Sequence, residues 1–370
     1  MNEDKATRYN RLRRRAGVAA TALSAVVLLL LVVTGGSASL RDVAVGVPHG
    51  SLFVTVILYV VMLALLSEVV QLPLAFYQGV TLERRYGLST EATTRWWLDR
   101  LKANGVGFVL AVISALIVCY LLQWSPRLWW AVAAVCFGVI IVVLAQLAPV
   151  LLLPLFYTVK PLQRRELADR LVALAQRAGA RVLGVFEWQL SDRTRKANAA
   201  LTGIGRTRRI LLSDTLLAEH SDDEIEVILA HELAHHVHHD IWRGIALEVA
   251  LLTLGLFVTD RVLDMSIGHF GLAGKADVAG LPILVLAGGA VSLLLLPLVN
   301  AVSRAHERRA DRYALDMTSN ADAFISAMKR LGAQNLAEER PSRIVELLFH
   351  SHPPIAARLE AARNWHPKRT

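Results

Sequence analysis

The sequence predicts a mainly α, polytopic membrane protein of about six transmembrane helices, with an α+β domain on one side that the last two spans split in two. Three observations predict this. Hydrophobic residues make up 54% of the 370 and charged residues 19%, and the mean hydropathy is +0.44, too apolar for an ordinary soluble domain. Six runs, approximately 17–34, 52–76, 106–123, 129–157, 242–265 and 281–301, are long and apolar enough to cross about 30 Å of hydrocarbon. Lysine and arginine are also unevenly shared. The loops on one side hold Arg41, Arg127 and Lys275 and no other lysine or arginine. The other side holds a basic N-terminal tail, the 78–105 loop (Arg84, Arg85, Arg95, Arg100, Lys102) and the segments 159–241 and 302–370. By the positive-inside rule both termini and these segments, HELAH among them, face the cytoplasm.

The same asymmetry accounts for the net charge of +9, so no nucleic-acid partner is needed to explain it; the partner is the lipid bilayer. The chain divides into 1–158, with four spans; 159–241; 242–301, with two spans; and 302–370. The first span, after RLRRR, exceeds the usual 7–15-residue core of a secretory signal and is read as a retained anchor; removal would leave five spans. Glu68 and Gln71 in the second span face either a wet cavity or a neighbouring helix. Trp129 and Trp130 open the fourth span as an interfacial aromatic belt. Cys119 and Cys136 lie inside spans as small apolar residues, with no spacing that suggests a disulfide or a cysteine metal site. The fifth span is the weakest, interrupted by Glu248 and ending in Asp260, Arg261 and Asp264.

Between the fourth and fifth spans, 164–179 has helical periodicity, and 182–189, 197–202 and 208–212 read as strands punctuated by Gly203 and Gly205. A short helix near 213–219 precedes Ser221 and Glu224, a capping-box pair that starts the next helix. That helix carries HELAH. His231 and His235, four apart, lie on one face about one turn from each other, the spacing two imidazoles need to share one Zn²⁺, and Glu232 between them can serve as general base. His235 and His239 are also four apart but enclose no glutamate. After the sixth span, 302–317 reads as a helix with Glu307 and Asp311 on one face. Either they are neutralised by Arg304, Arg308 and Arg309 on a charged interfacial helix, or Glu307 is a third ligand and Asp311 orients a ligand histidine.

These residues sit in blocks that resemble the integral-membrane type I CaaX prenyl proteases, zinc metallopeptidases of the gluzincin class. The likeness covers most of the chain from about 65 to 360: LPLAFYQGVTLERRYGLST (72–90), LLPLFYTVKPL (152–162), KANAALTGIGRTRRILLSDTLL (196–217), HELAH, NAVSRAHERRAD (300–311) and SHPPIAAR (351–358). Tyr157 stands where the family usually has Asn. The resemblance implies that His231, His235 and Glu307 hold one zinc per chain, that Glu232 is the catalytic base and that Asp311 lies behind the ligands. It further implies that Asn198 and Ala199 sit on an edge strand that pairs with substrate backbone. His352 would stabilise the oxyanion, and Arg358 would contact the substrate's terminal carboxylate or order the site. A ring of helices around a membrane chamber is implied on the same basis.

Six spans instead of the seven typical of eukaryotic members, and no lysine-rich retrieval tail, point to a bacterial relative, multi-pass in the cell inner (plasma) membrane. The expected substrate is a peptide or membrane protein, with or without a lipid. The alternatives are a quality-control membrane zinc protease of the stress-response type, or a non-catalytic membrane protein whose structural zinc would need a fourth ligand such as His239.

Overall fold

The computed structural model describes residues 4–46, 51–151, 153–203 and 208–367; Gly205, expected to punctuate a strand, lies outside them. Among the described residues six helices are long and apolar enough to cross a membrane. Helix α1 (Lys5–Val33) turns at Gly35, whose φ of 75° is left-handed and suits glycine, into α2 (Gly36–Val45). The sequence reading missed α2, whose small and polar residues carry no strong period. Contacts hold it: Ser37 Oγ lies 2.7 Å from Tyr59 Oη and donates to the Ala279 carbonyl at 2.6 Å, and Arg41 pairs with Asp277.

Helix α3 (Leu52–Phe76) was expected to end in a loop at 78. It continues instead through a π-helical turn, Tyr77–Leu82, into α4 (Glu83–Arg85). Pro73 removes a backbone donor within this helix, and the wider turn follows just beyond it. Gly79 lies under the Trp96 ring, so close that an added Cβ would meet Trp96 Nε1 at 2.6 Å. Helix α5 (Thr93–Trp124) likewise starts well before the expected 106. Arg100 on this extension forks onto Glu68, at 2.6 and 2.8 Å, and Gln71 donates to the Ala20 carbonyl at 2.8 Å. Both polar residues of the second span therefore make helix–helix contacts.

Helix α6 (Trp129–Leu151) is followed by α7 (Leu153–Phe156). Trp129 corrects the expectation of an interfacial belt. It is fully buried, and its indole N–H donates to Asp260 Oδ1 at 2.5 Å. Lys275 Nζ reaches Asp260 at 2.6 Å and Asp264 at 2.7 Å. The charged end of the fifth span is thus a paired cluster, as a buried carboxylate requires.

The extramembrane part is a four-stranded sheet, β1 (Val159–Pro161), β2 (Val185–Trp188), β3 (Ala199–Thr202) and β4 (Arg209–Ser213), in the order β1-β2-β4-β3. Only the β2–β4 pair is parallel. Strand β1, unforeseen because it is three residues long and ends in Pro161, sits at one edge, and β3 at the other. Helices α8 (Arg165–Arg177), α9 (Asp214–Glu219) and α10 (Asp222–Val237) accompany the sheet. Leu167, Leu171 and Leu174 of α8 recur at helical spacing and pack with Ile210 and Leu212 of β4 and with Ile225, Leu229 and Leu233 of α10 in one core. The expected capping box is formed: Ser221 N–H donates to Glu224 Oε2 at 2.8 Å and Glu224 N–H to Ser221 Oγ at 3.3 Å.

From α10 the chain turns at His239, left-handed with φ 55°, into α11 (Asp240–Ser266). Helix α12 (Leu281–Thr318) is one continuous helix where a span and a separate helix were expected. Its 38 residues extend about 57 Å, well beyond a hydrocarbon core of about 30 Å, so its far end packs beside α10. Helices α13 (Ala321–Gln334), α14 (Arg343–Phe349) and α15 (Ile355–Arg363) complete the domain, with Phe324 and Ala327 of α13 buried in the same core.

Candidate metal centre

Helix α10 sets the His231 and His235 rings edge-on with centroids 5.1 Å apart, and α12 delivers Glu307 to both. Glu307 Oε2 lies 3.2 Å from His231 Nε2, and Oε1 lies 3.3 Å from His235 Nε2. Among the described residues these three side chains form the one group of metal-ligating atoms, all within 4.8 Å of one another.

The outer ring nitrogens show why this donor set fits a cation. His231 Nδ1 faces Asp311 Oδ1 at 2.9 Å, and His235 Nδ1 faces Asp240 Oδ2 at 3.1 Å. A carboxylate at Nδ1 fixes the proton there, which leaves each Nε2 with a lone pair aimed at Glu307. Acceptors then face acceptors, and the buried Glu307 Oε2 has no hydrogen-bond partner. A divalent ion would satisfy all three at once. Protons compete with a cation for the same nitrogens. Burial alone would lower the His231 imidazole, but the carboxylates of Asp311 and Glu307 outweigh it and raise it to about 9; His235 is raised likewise against its burial. The site draws in positive charge.

Glu232, half-buried beside the pair, has its carboxyl raised by burial, an effect His231 and His235 oppose. His352 is exposed, with its Nε2 3.5 Å from Glu307 Oε1. Arg358 forks onto Asp311, Nε to Oδ2 at 2.8 Å and Nη2 to Oδ1 at 2.5 Å, so of its two expected roles the geometry favours ordering the site. Asn198 immediately precedes β3 and exchanges hydrogen bonds with Ser213 at 3.0 Å, while Ala199 opens the strand opposite Leu212. The far side of β3 is a sheet edge, and α10 packs against the strand.

Two of the three arginines expected to neutralise the α12 acids do otherwise. Arg304 donates to the carbonyls of Glu346 and His350 at 2.9 and 2.7 Å, and Arg309 pairs with Asp240. His239, the spare ligand a closed structural site would need, instead has its Nδ1 3.1 Å from the His236 carbonyl.

Two residues escaped sequence reading, Asp240 and Asn300, and Arg304 has a different role from the one expected. Asn300 donates to the Leu347 and Leu348 carbonyls at 3.3 and 2.9 Å, so with Arg304 it holds the loop that carries His352. The available signal was the spacing 300, 304, 307, 311, a polar stripe along one helical face. Asp240 was hidden by the histidine-rich stretch it ends. Replacing Asp240 with Asn is expected to weaken metal binding about 10–100-fold without unfolding the domain, measured by competition with a chromogenic chelator.

Comparison with known proteins agrees with this geometry. The model of peptidase family M48 matches residues 161–366, and that of the CAAX prenyl protease N-terminal region, described as five membrane helices, matches 2–158. The chain belongs to peptidase family M48, and it is a multi-pass membrane metallopeptidase of the CAAX-prenyl-protease-like kind. Within 2–158 the described residues contain four helices long and apolar enough to cross a membrane, with the short α2 besides. An uncharacterized metalloprotease of Bacillus subtilis, YhfN, is 30% identical over 84% of this chain and 74% of its own length. CAAX prenyl protease 1 of Saccharomyces cerevisiae is 27% identical over 81% of this chain and 70% of its own. The crystal structure of S. mikatae Ste24p shares the fold, with a TM-score of 0.86 at 22% identity over 98% of this chain and 88% of that one.

Proposed function

We propose that the chain is a zinc metalloendopeptidase that hydrolyses peptide bonds near the cytoplasmic face of a cell inner (plasma) membrane, on peptide or membrane-protein substrates with or without a lipid. One observation carries this reading: the convergence of His231, His235 and Glu307, each oriented from behind or left without a donor, close enough to Glu232 to act on its carboxyl. The name CAAX prenyl protease borne by several relatives supports a substrate cut near its C-terminus.

A bound zinc ion would supply Lewis-acid polarisation of the scissile carbonyl and a lowered water pKa. The chain's own groups do the rest. Glu232 takes a proton from the attacking water and passes it to the leaving amine, and its raised pKa suits a group that must both accept and return a proton. His352 offsets the charge that develops on the carbonyl oxygen. The open edge of β3, beginning at Asn198 and Ala199, holds the peptide extended. Asp311, gripped by Arg358, and Asp240, gripped by Arg309, keep the two imidazoles from rotating.

Treatment with 1,10-phenanthroline is expected to abolish peptide cleavage, and one equivalent of zinc to restore it. Cleavage that persists in metal-free protein would exclude the proposal.

A further inference from the structure

Asn10, Arg13, Arg14 and Gly17 lie at helical spacing on one face of α1, on the side of α1 that faces the loop carrying His350 and His352. Between them is a pocket of about 400 Å³, and a Cβ added at Gly17 would meet nothing within 4 Å. His352 is the common wall: it lines this pocket and brings its Nε2 to 3.5 Å from Glu307. The pocket is therefore next to the candidate metal centre.

Its charge is unbalanced. Arg14 is spent on Glu338. Arg13 is exposed, its Nη1 is 3.5 Å from Tyr9 Oη, and among the described residues no carboxylate lies within ion-pairing distance of it. Arg358 is not presented to a substrate, because both of its forked donors are on Asp311 and its side chain is 11% exposed.

The strand gives a direction. Lys196, just before β3, bonds Tyr9 Oη at 3.2 Å and Glu83 at 2.9 Å, and Asn335 clamps Ala197 from both sides at 3.0 and 3.2 Å. Asn10 donates to the Leu336 carbonyl at 2.7 Å. Helix α1 thus stands across the N-terminal end of β3, with Arg13 one turn beyond Tyr9. The open edge of β3 therefore leads, at its N-terminal end, toward this helix.

We propose that Arg13 receives the terminal carboxylate of the peptide, which therefore runs antiparallel to β3 and is selected for a free C-terminus close beyond the scissile bond. This rests on the peptidase reading above and names the group on the substrate that the site reads.

The test uses full-length protein in detergent carrying Glu232→Gln, and a fluorescein-labelled CaaX peptide as free acid and as C-terminal amide. By fluorescence anisotropy the acid should bind about tenfold or more tighter than the amide, the scale of a charge-assisted hydrogen bond. Adding Arg13→Gln should bring the ratio to about one while amide affinity and thermal midpoint stay unchanged, and Arg13→Lys should restore part of it. Equal binding of acid and amide, or a ratio that survives Arg13→Gln, overturns the proposal. So does an effect of Arg13→Gln confined to binding of phosphatidylglycerol vesicles, which would make Arg13 a headgroup contact. If wild type cleaves neither peptide but the Arg13-dependent ratio is present, the pocket stands and the peptidase reading falls.

Discussion

Glu232→Gln is expected to lower kcat about 10²–10⁴-fold while the protein still binds one zinc per chain. The substitution keeps the shape of the side chain and removes only its capacity to take and return a proton. The candidate ligand set, His231, His235 and Glu307, is untouched, and so are Asp311 and Asp240 behind it. Turnover measured with metal content separates the two effects: activity falls, metal stays. Loss of metal in this variant would mean that Glu232 is part of the binding set.

Glu307→Ala should have the opposite signature. Glu307 is 6% exposed and its two oxygens each face one histidine Nε2, so removing it opens one side of the site. Two neutral imidazoles remain, and the expected loss in metal affinity exceeds the roughly 10–100-fold typical of changes behind the ligands. After dialysis, metal analysis should find well under one zinc per chain and no cleavage. Retention of a full equivalent would show that another side chain closes the site, as a structural centre would require.

How much of this was legible in the sequence depended on whether an interaction is local. HELAH was readable because two ligand candidates and the proposed base lie within about one helical turn, where spacing fixes geometry. The Ser221–Glu224 capping box was readable for the same reason. The long apolar runs coincide with the six helices among the described residues that are long and apolar enough to cross a membrane, but not with their ends. Hydropathy falls at 302, yet α12 continues unbroken to Thr318, because its polar stripe is used by Glu307, Asp311, Asn300 and Arg304 and not by water. Helices α3 and α5 overrun their apolar segments for a related reason: Arg100 reaches back to Glu68, and Trp96 covers Gly79.

Trp129 was misread because an aromatic residue at a span end usually marks an interface, and its partner Asp260 lies 131 residues away. The pairing of His235 with Asp240 was close in sequence but invisible, since nothing in a row of histidines says which ring a following carboxylate will hold. Arg358 was left with two roles, which only the fork onto Asp311 separates.

The central claim is tested most directly by incubating purified, zinc-loaded protein with a farnesylated CaaX peptide and its unmodified twin, with Glu232→Gln as blank, and reading the products by mass spectrometry. The account predicts cleavage of at least one peptide by wild type and of neither by the variant, with the twin reporting whether the lipid matters. Equal cleavage by the variant, or intact peptides with one zinc bound to wild type, would contradict it.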